Sequence, residues 1–163
     1  MGAGAVVIGT DDKDDLHFTS IRLNKRPEIV SRYTQPAASQ SEERSHGFFY
    51  KPDSEDSGTL GLPINKPGRP EFTHLYENSA SLLFLRNEGF QFRAVGELDA
   101  QAEKAQDDKC RASCVDWYGN ARPLFLRGRV FALLGYELVE GKLDQGHMIE
   151  LRRISYAPQV AKQ

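Results

Sequence analysis

Apolar residues recur at every second position in short runs closed by Gly, Pro, Asn and Asp, and this period constrains the chain more than any other feature. It is the pattern of strands with one buried face. Residues 16–23 set Leu16, Phe18 and Leu23 among polar neighbours, Asn24-Lys25-Arg26-Pro27 supplies a turn, and residues 28–33 return, which predicts a hairpin. The form recurs at residues 81–86, turn Asn87-Glu88-Gly89, and residues 90–98, with Gly89 free to take the positive φ that a short hairpin wants. Residues 46–51 and 58–64 flank a polar loop, and residues 122–127 and 130–135 flank Gly128. The one helix candidate, residues 98–107, has Ala100, Ala102 and Ala105 amid charges without an apolar stripe, and reads as a solvated loop.

Placed in register, the strands form units of four. The fullest unit is 46–51, 58–64, 80–86 and 90–99; before it, 5–9, 16–23 and 28–34 are the second, third and fourth strands of a unit whose first strand is absent. After it come 122–127, 130–135, 136–143 and 148–156. Residues 35–44 and 101–109 read as surface excursions between strands. The expected fold class is all-β, with antiparallel four-stranded blades in a partial, β-propeller-like region over 1–163 and blade remnants near 4–34, 46–99 and 121–157.

The motifs resemble those of the bacterial and archaeal family of secreted proteins carrying a C-terminal β-propeller domain. A blade of that family opens with a His and an aromatic strand, as His46-Gly47-Phe48-Phe49-Tyr50 does here, and continues as Leu62-Pro63-Ile64, Ser81-Leu82-Leu83-Phe84-Leu85 and Val95-Gly96-Glu97-Leu98. The Arg-x-Leu-Phe strand, Gly and following strand of the next blade are matched by residues 122–133. The resemblance implies a propeller of four or more blades, and fewer than three complete ones are present, so the expectation is the C-terminal part of a longer propeller or a different closure. Fewer blades leave open edges that invite pairing with another chain.

Composition narrows the partners. The 163 residues carry 21 Lys+Arg against 23 Asp+Glu, a formal charge of −2, with no basic block of the kind a nucleic-acid groove or anionic membrane needs. No stretch approaches the roughly 18 apolar residues of a membrane span. Residues 1–10 are apolar but lack a basic region, which is not the pattern of an export signal. This chain is therefore expected in the cytoplasm if expressed alone, and secreted or periplasmic if part of a longer precursor, as the resemblance implies. Cys110 and Cys114 lie four apart without a second pair, which is poor zinc spacing, and read as free thiols or a tight-turn disulfide.

Neither acidic cluster predicts a metal. In Asp11-Asp12-Lys13-Asp14-Asp15 a lysine takes a would-be ligand position, and Asp53-Ser54-Glu55-Asp56-Ser57-Gly58 reaches Ile64 where a calcium loop needs a bidentate carboxylate. His17, His46, His74 and His147 form no spaced pair. His46 is assigned a structural role between strands. No nucleophile elbow, P-loop or dinucleotide fingerprint occurs, so no catalytic residue, metal or cofactor is expected. Asp116, Trp117, Tyr118 and Asn120 form the candidate binding rim, since aromatics with polar neighbours suit peptide or sugar recognition. Ile149, Leu151, Ile154 and Tyr156 are read as the buried side of the last strand, with Arg152-Arg153 interrupting it as a bulge. The expectation is a non-catalytic module binding protein or peptide, or carbohydrate, and self-associating through open blade edges. Part of a hydrolase completed by missing blades, and a truncated product without a role, are the alternatives.

Overall fold

The computed structural model describes residues 4–40, 48–65, 81–101 and 121–156, and these residues form strands and turns with no helix among them. The N-terminal sheet is the meander β1 (Gly4–Thr10), β2 (Leu16–Arg22) and β3 (Glu28–Gln35). The central sheet contains β4 (Ser39–Gln40), β5 (Phe49–Pro52), β6 (Ser57–Asn65), β7 (Ser81–Glu88) and β8 (Gln91–Asp99). Here β4 and β5 both pair with β6, at its two ends, while β7 and β8 follow in order on its other edge. The C-terminal sheet is the meander β9 (Arg122–Leu126), β10 (Arg129–Leu134), β11 (Glu137–Asp144) and β12 (His147–Ser155). Every pairing is antiparallel, and the fold is all-β. Of the twelve strands, only β4 falls in a tract expected to be a surface excursion.

Two cores share the central sheet. Leu60, Leu62, Ile64, Leu83 and Leu85 meet Leu16, Phe18 and Ala38 on one side. On the other, Leu82, Phe84, Val95 and Leu98 meet Ala132, Leu134, Val139 and Met148. Successive side chains of a strand point to opposite faces, so the unbroken run Leu82-Leu83-Phe84-Leu85 feeds both cores and none of the four is more than 1% exposed. The central strand is thus buried on two faces, unlike the one-sided strands that the alternation predicts elsewhere. Close approach is built in at Gly61, where a Cβ would stand 2.7 Å from the Pro123 ring on β9.

Bulges and turns adjust the faces. Between Ala94 and Gly96 the pairing with β7 shifts, leaving Val95 as the extra residue, so that Val95 and Leu98 both reach the C-terminal core. Gly96 has φ +133 and lies against Met148. The β7–β8 turn is Gly89-Phe90, one residue later than its sequence predicts, with both residues at positive φ (59° and 70°) as a type I′ hairpin requires. A bulky side chain rarely adopts that conformation. Phe90 is held there by its neighbours, because the Ser20 and Ser31 hydroxyls both donate to its carbonyl (2.6 and 2.7 Å) and the Arg22 guanidinium lies 5.1 Å from its ring.

The expectation for the last strand is corrected. Ile149, Leu151, Ile154 and Tyr156 are 40–58% exposed, and Met148 is the buried apolar residue of β12. The strand covers the sheet's margin with nothing packed outside it among the described residues. A bulge is present as expected, but the extra residue is Leu151, since Glu140 pairs with Arg152 and Gly141 with Glu150. Arg153 points inward, donating to Glu137, Glu150 and the Asp99 carbonyl, and so ties the central and C-terminal sheets together.

Candidate functional site

His46, Asp116, Trp117, Tyr118 and Asn120 lie outside the described residues, as do Cys110, Cys114 and His74. The acidic clusters do lie within them, and their carboxylates act as turn caps. Asp11 Oδ1 accepts the N–H groups of Lys13 and Asp15 (2.9 and 3.0 Å), and Asp15 Oδ1 accepts that of Ala37 (2.9 Å). In the second cluster Asp53 is paired with Arg86, and the Ser54 hydroxyl bonds Asp56 and Ser57. Among the described residues no three His, Cys, Asp or Glu side chains converge on a metal-sized space.

Asp11 also completes a relay invisible to local motif reading. Its Oδ2 is 2.9 Å from His17 Nε2, and His17 Nδ1 is 2.9 Å from the Thr34 hydroxyl. The β2–β3 register places His17 directly opposite Thr34, and the β1–β2 turn carries Asp11 to the ring's other side. The His17 hydrogen bond, with the two backbone donors, lowers the Asp11 pKa to about 2, so the carboxylate is ionised and Nε2 donates to it. In the neutral imidazole Nδ1 then accepts from Thr34. His17 and Asp11 keep 40% and 33% of their side-chain surface exposed. The relay fixes one imidazole tautomer on the outer face of the N-terminal sheet and braces the turn against β3.

A second feature is concave. Gly4, Ala5, Val6 and Ile8 of β1 face Phe48 and Tyr50 across a cavity of about 420 Å³. The Tyr50 hydroxyl is fixed by Asn87 Nδ2 at 2.9 Å, and that amide also donates to the Asp56 carbonyl. No sequence motif marks this cavity, because it arises where two sheets meet.

The third feature is the outer face of the C-terminal sheet. Inward positions are known from the core: Ala132 and Leu134 on β10, Val139 on β11. The opposite parity places Phe131 and Leu133 outward, opposite Leu124, Leu138 and Glu140, with Ile154 beside Leu138 and Arg152 beside Glu140. Leu126 (61% exposed) and Ile154 (58%) border this face. Glu140 sits at its centre, almost covered, where Arg129 binds it bidentately (2.6 and 2.7 Å) and Arg152 adds a third donor. The Arg129 guanidinium also lies 4.7 Å from the Phe131 ring. These contacts, with the Arg129 hydrogen bond the largest, hold the Glu140 carboxyl at about 2. The face thus carries apolar side chains around a locked charge cluster, with Arg122 and Lys142 at the same parity. Comparison with protein-family models, with curated proteins and with solved structures returns no match.

Proposed function

We propose that this chain is a non-catalytic binding and interaction module of the β-propeller type, in which consecutive antiparallel meanders stack face to face and an open flank receives another protein surface. The observation that carries the reading is the outer face of the C-terminal sheet, where Leu126, Ile149 and Ile154, at the parity opposite the core, are each at least 40% exposed. Grouped apolar surface of this kind marks interaction sites more often than isolated exposed residues do. The inner faces of the same molecule supply the template, since sheet-on-sheet contact already joins its three layers. Arg129, Glu140 and Arg152 give such a contact a fixed polar centre.

Sedimentation velocity tests this. The wild-type chain is expected to self-associate at concentrations of about 10–100 μM, as a modest sheet face would allow, and the double variant Leu126→Glu/Ile154→Glu to sediment as a monomer. A wild-type chain that remains monomeric throughout, or a double variant that associates equally well, overturns this use of the face.

A further inference from the structure

Among the described residues, the N-terminal meander lacks a strand that the other two carry. The central sheet carries β5 on the edge of β6 away from β7, and the C-terminal sheet carries β9 on the corresponding edge of β10. β1 stands in the same position in its own meander, yet among the described residues it pairs only with β2. Its other edge offers backbone N–H and C=O groups that no strand takes up there.

That edge is not a flat margin. Gly4, Ala5 and Val6 all line the cavity shared with Phe48 and Tyr50. Gly4, Val6 and Ile8 share the inward parity and Ala5 alone the opposite one, so the cavity lies between the strand's inner face and Phe48 and Tyr50 and reaches the strand's edge at Ala5. Val6 and Ile8 turn toward the N-terminal core, and with Phe48 and Tyr50 they give the cavity an apolar wall.

We propose that the edge of β1 left unpaired among the described residues binds an extended polypeptide segment in trans, as an added antiparallel strand seated against Phe48 and Tyr50. Continuity with the existing architecture identifies the occupant: β5 and β9 fill the equivalent seat in the other two sheets, and both run antiparallel to the strand they join. A second copy of this chain is a poorer occupant. Its β1 would arrive with β2 already paired on the other edge, bringing a sheet where about 420 Å³ of space accepts a strand. The ligand class is therefore an unpaired segment whose alternate side chains are apolar and small enough to meet Val6, Ile8 and Phe48. Its backbone supplies affinity and its alternate side chains supply selectivity. This deepens the interaction-module reading and rests on it, but uses a different surface from the C-terminal face.

The test uses the full chain carrying Leu126→Glu/Ile154→Glu, so that self-association and strand binding are read separately. The probe is a lysine-flanked peptide of alternating threonine and valine, and the readout is amide hydrogen exchange. Saturating peptide is expected to slow exchange of residues 4–10 by at least about tenfold and to leave residues 147–155 unchanged. Peptide N-methylated at alternate residues along one edge should lose the effect, and the other alternate set should keep it. Ala5→Arg, at a position outside both cores, should abolish protection while leaving the melting temperature of the chain intact. No protection, equal protection of β12, or equal activity of the two N-methylated peptides overturns the proposal. Each of these would leave the sedimentation result standing, so the two readings fail independently.

Discussion

The central and C-terminal sheets have the same four-strand meander, yet their third strands carry different kinds of sequence. In the central sheet β7 reads Ser81-Leu82-Leu83-Phe84-Leu85, apolar at both parities, and is covered from both sides. In the C-terminal sheet β11 reads Glu137-Leu138-Val139-Glu140, and the covered face carries Val139 while Leu138 and Glu140 look outward. The same meander therefore yields different burial, and the difference is set by how many neighbours a sheet has. A strand between two sheets needs apolar residues at every position; a flanking strand needs them at every second one.

The largest expected effect breaks the central layer. Phe84 is fully buried and meets Phe125 edge-on at 6.5 Å, across the interface with the C-terminal sheet. Phe84→Ala is expected to cost about 3–5 kcal/mol, the transfer term plus an unfilled cavity. Ile154→Ala on the exposed flank should change stability by less than about 0.5 kcal/mol. Urea denaturation of the two variants measures the contrast, and comparable losses would mean that the flank is covered in solution.

A smaller effect sharpens the same comparison at the interface itself. Gly61→Ala would place its Cβ 2.7 Å from the Cβ and Cγ of Pro123 and 3.3 Å from Phe84, forcing β6 and β9 apart at a cost of about 1–3 kcal/mol. Combining it with Pro123→Gly should recover part of that loss, because the obstructing ring is gone. The interaction energy of the double-mutant cycle, by the same denaturation measurement, isolates the contact from the effect of either residue alone.

Legibility in the sequence follows the same division. Eleven of the twelve strands among the described residues are marked by alternation or, at β7, by a short unbroken apolar run, closed by Gly, Pro, Asn and Asp, because a strand's own residues encode its period. β4 carries no period in two residues, Ser39 and Gln40, and forms only because β6 extends far enough to receive it. The β7–β8 turn comes one residue late because residue type argues against positive φ at Phe90, whereas Ser20 and Ser31, about 60–70 positions distant, hold it there. Ile149, Leu151 and Ile154 look like a core stripe because alternation tells which residues share a face, not whether another sheet covers it. The relay of Asp11, His17 and Thr34 depends on a strand register that no local motif states. The cavity beside β1 depends on the meeting of two sheets and leaves no mark at all.

The smallest effect concerns the charge cluster on the exposed flank. Glu140 is held at about 2, well below the ordinary 4.5, by the Arg129 hydrogen bond first and then by Arg152. Its folded-state pKa is depressed, so its contribution to stability is complete above the ordinary carboxylate range and is lost as pH falls from about 4.5 toward about 2. NMR titration of the Glu140 side-chain carboxyl should give a midpoint near 2 in the wild-type chain. Arg129→Gln removes the bidentate donor and should move the midpoint toward 4.5 by more than Arg152→Gln does, since Arg152 contributes one donor. Both variants leave the core between the sheets untouched, and by the same linkage each should lose stability at neutral pH in proportion to its upward shift, Arg129→Gln more than Arg152→Gln, a loss moderated by the solvation of the two arginines. A larger shift with Arg152→Gln would place the dominant contact at the β12 margin, and the sheet's outer face would then owe its fixed polar centre to its edge strand.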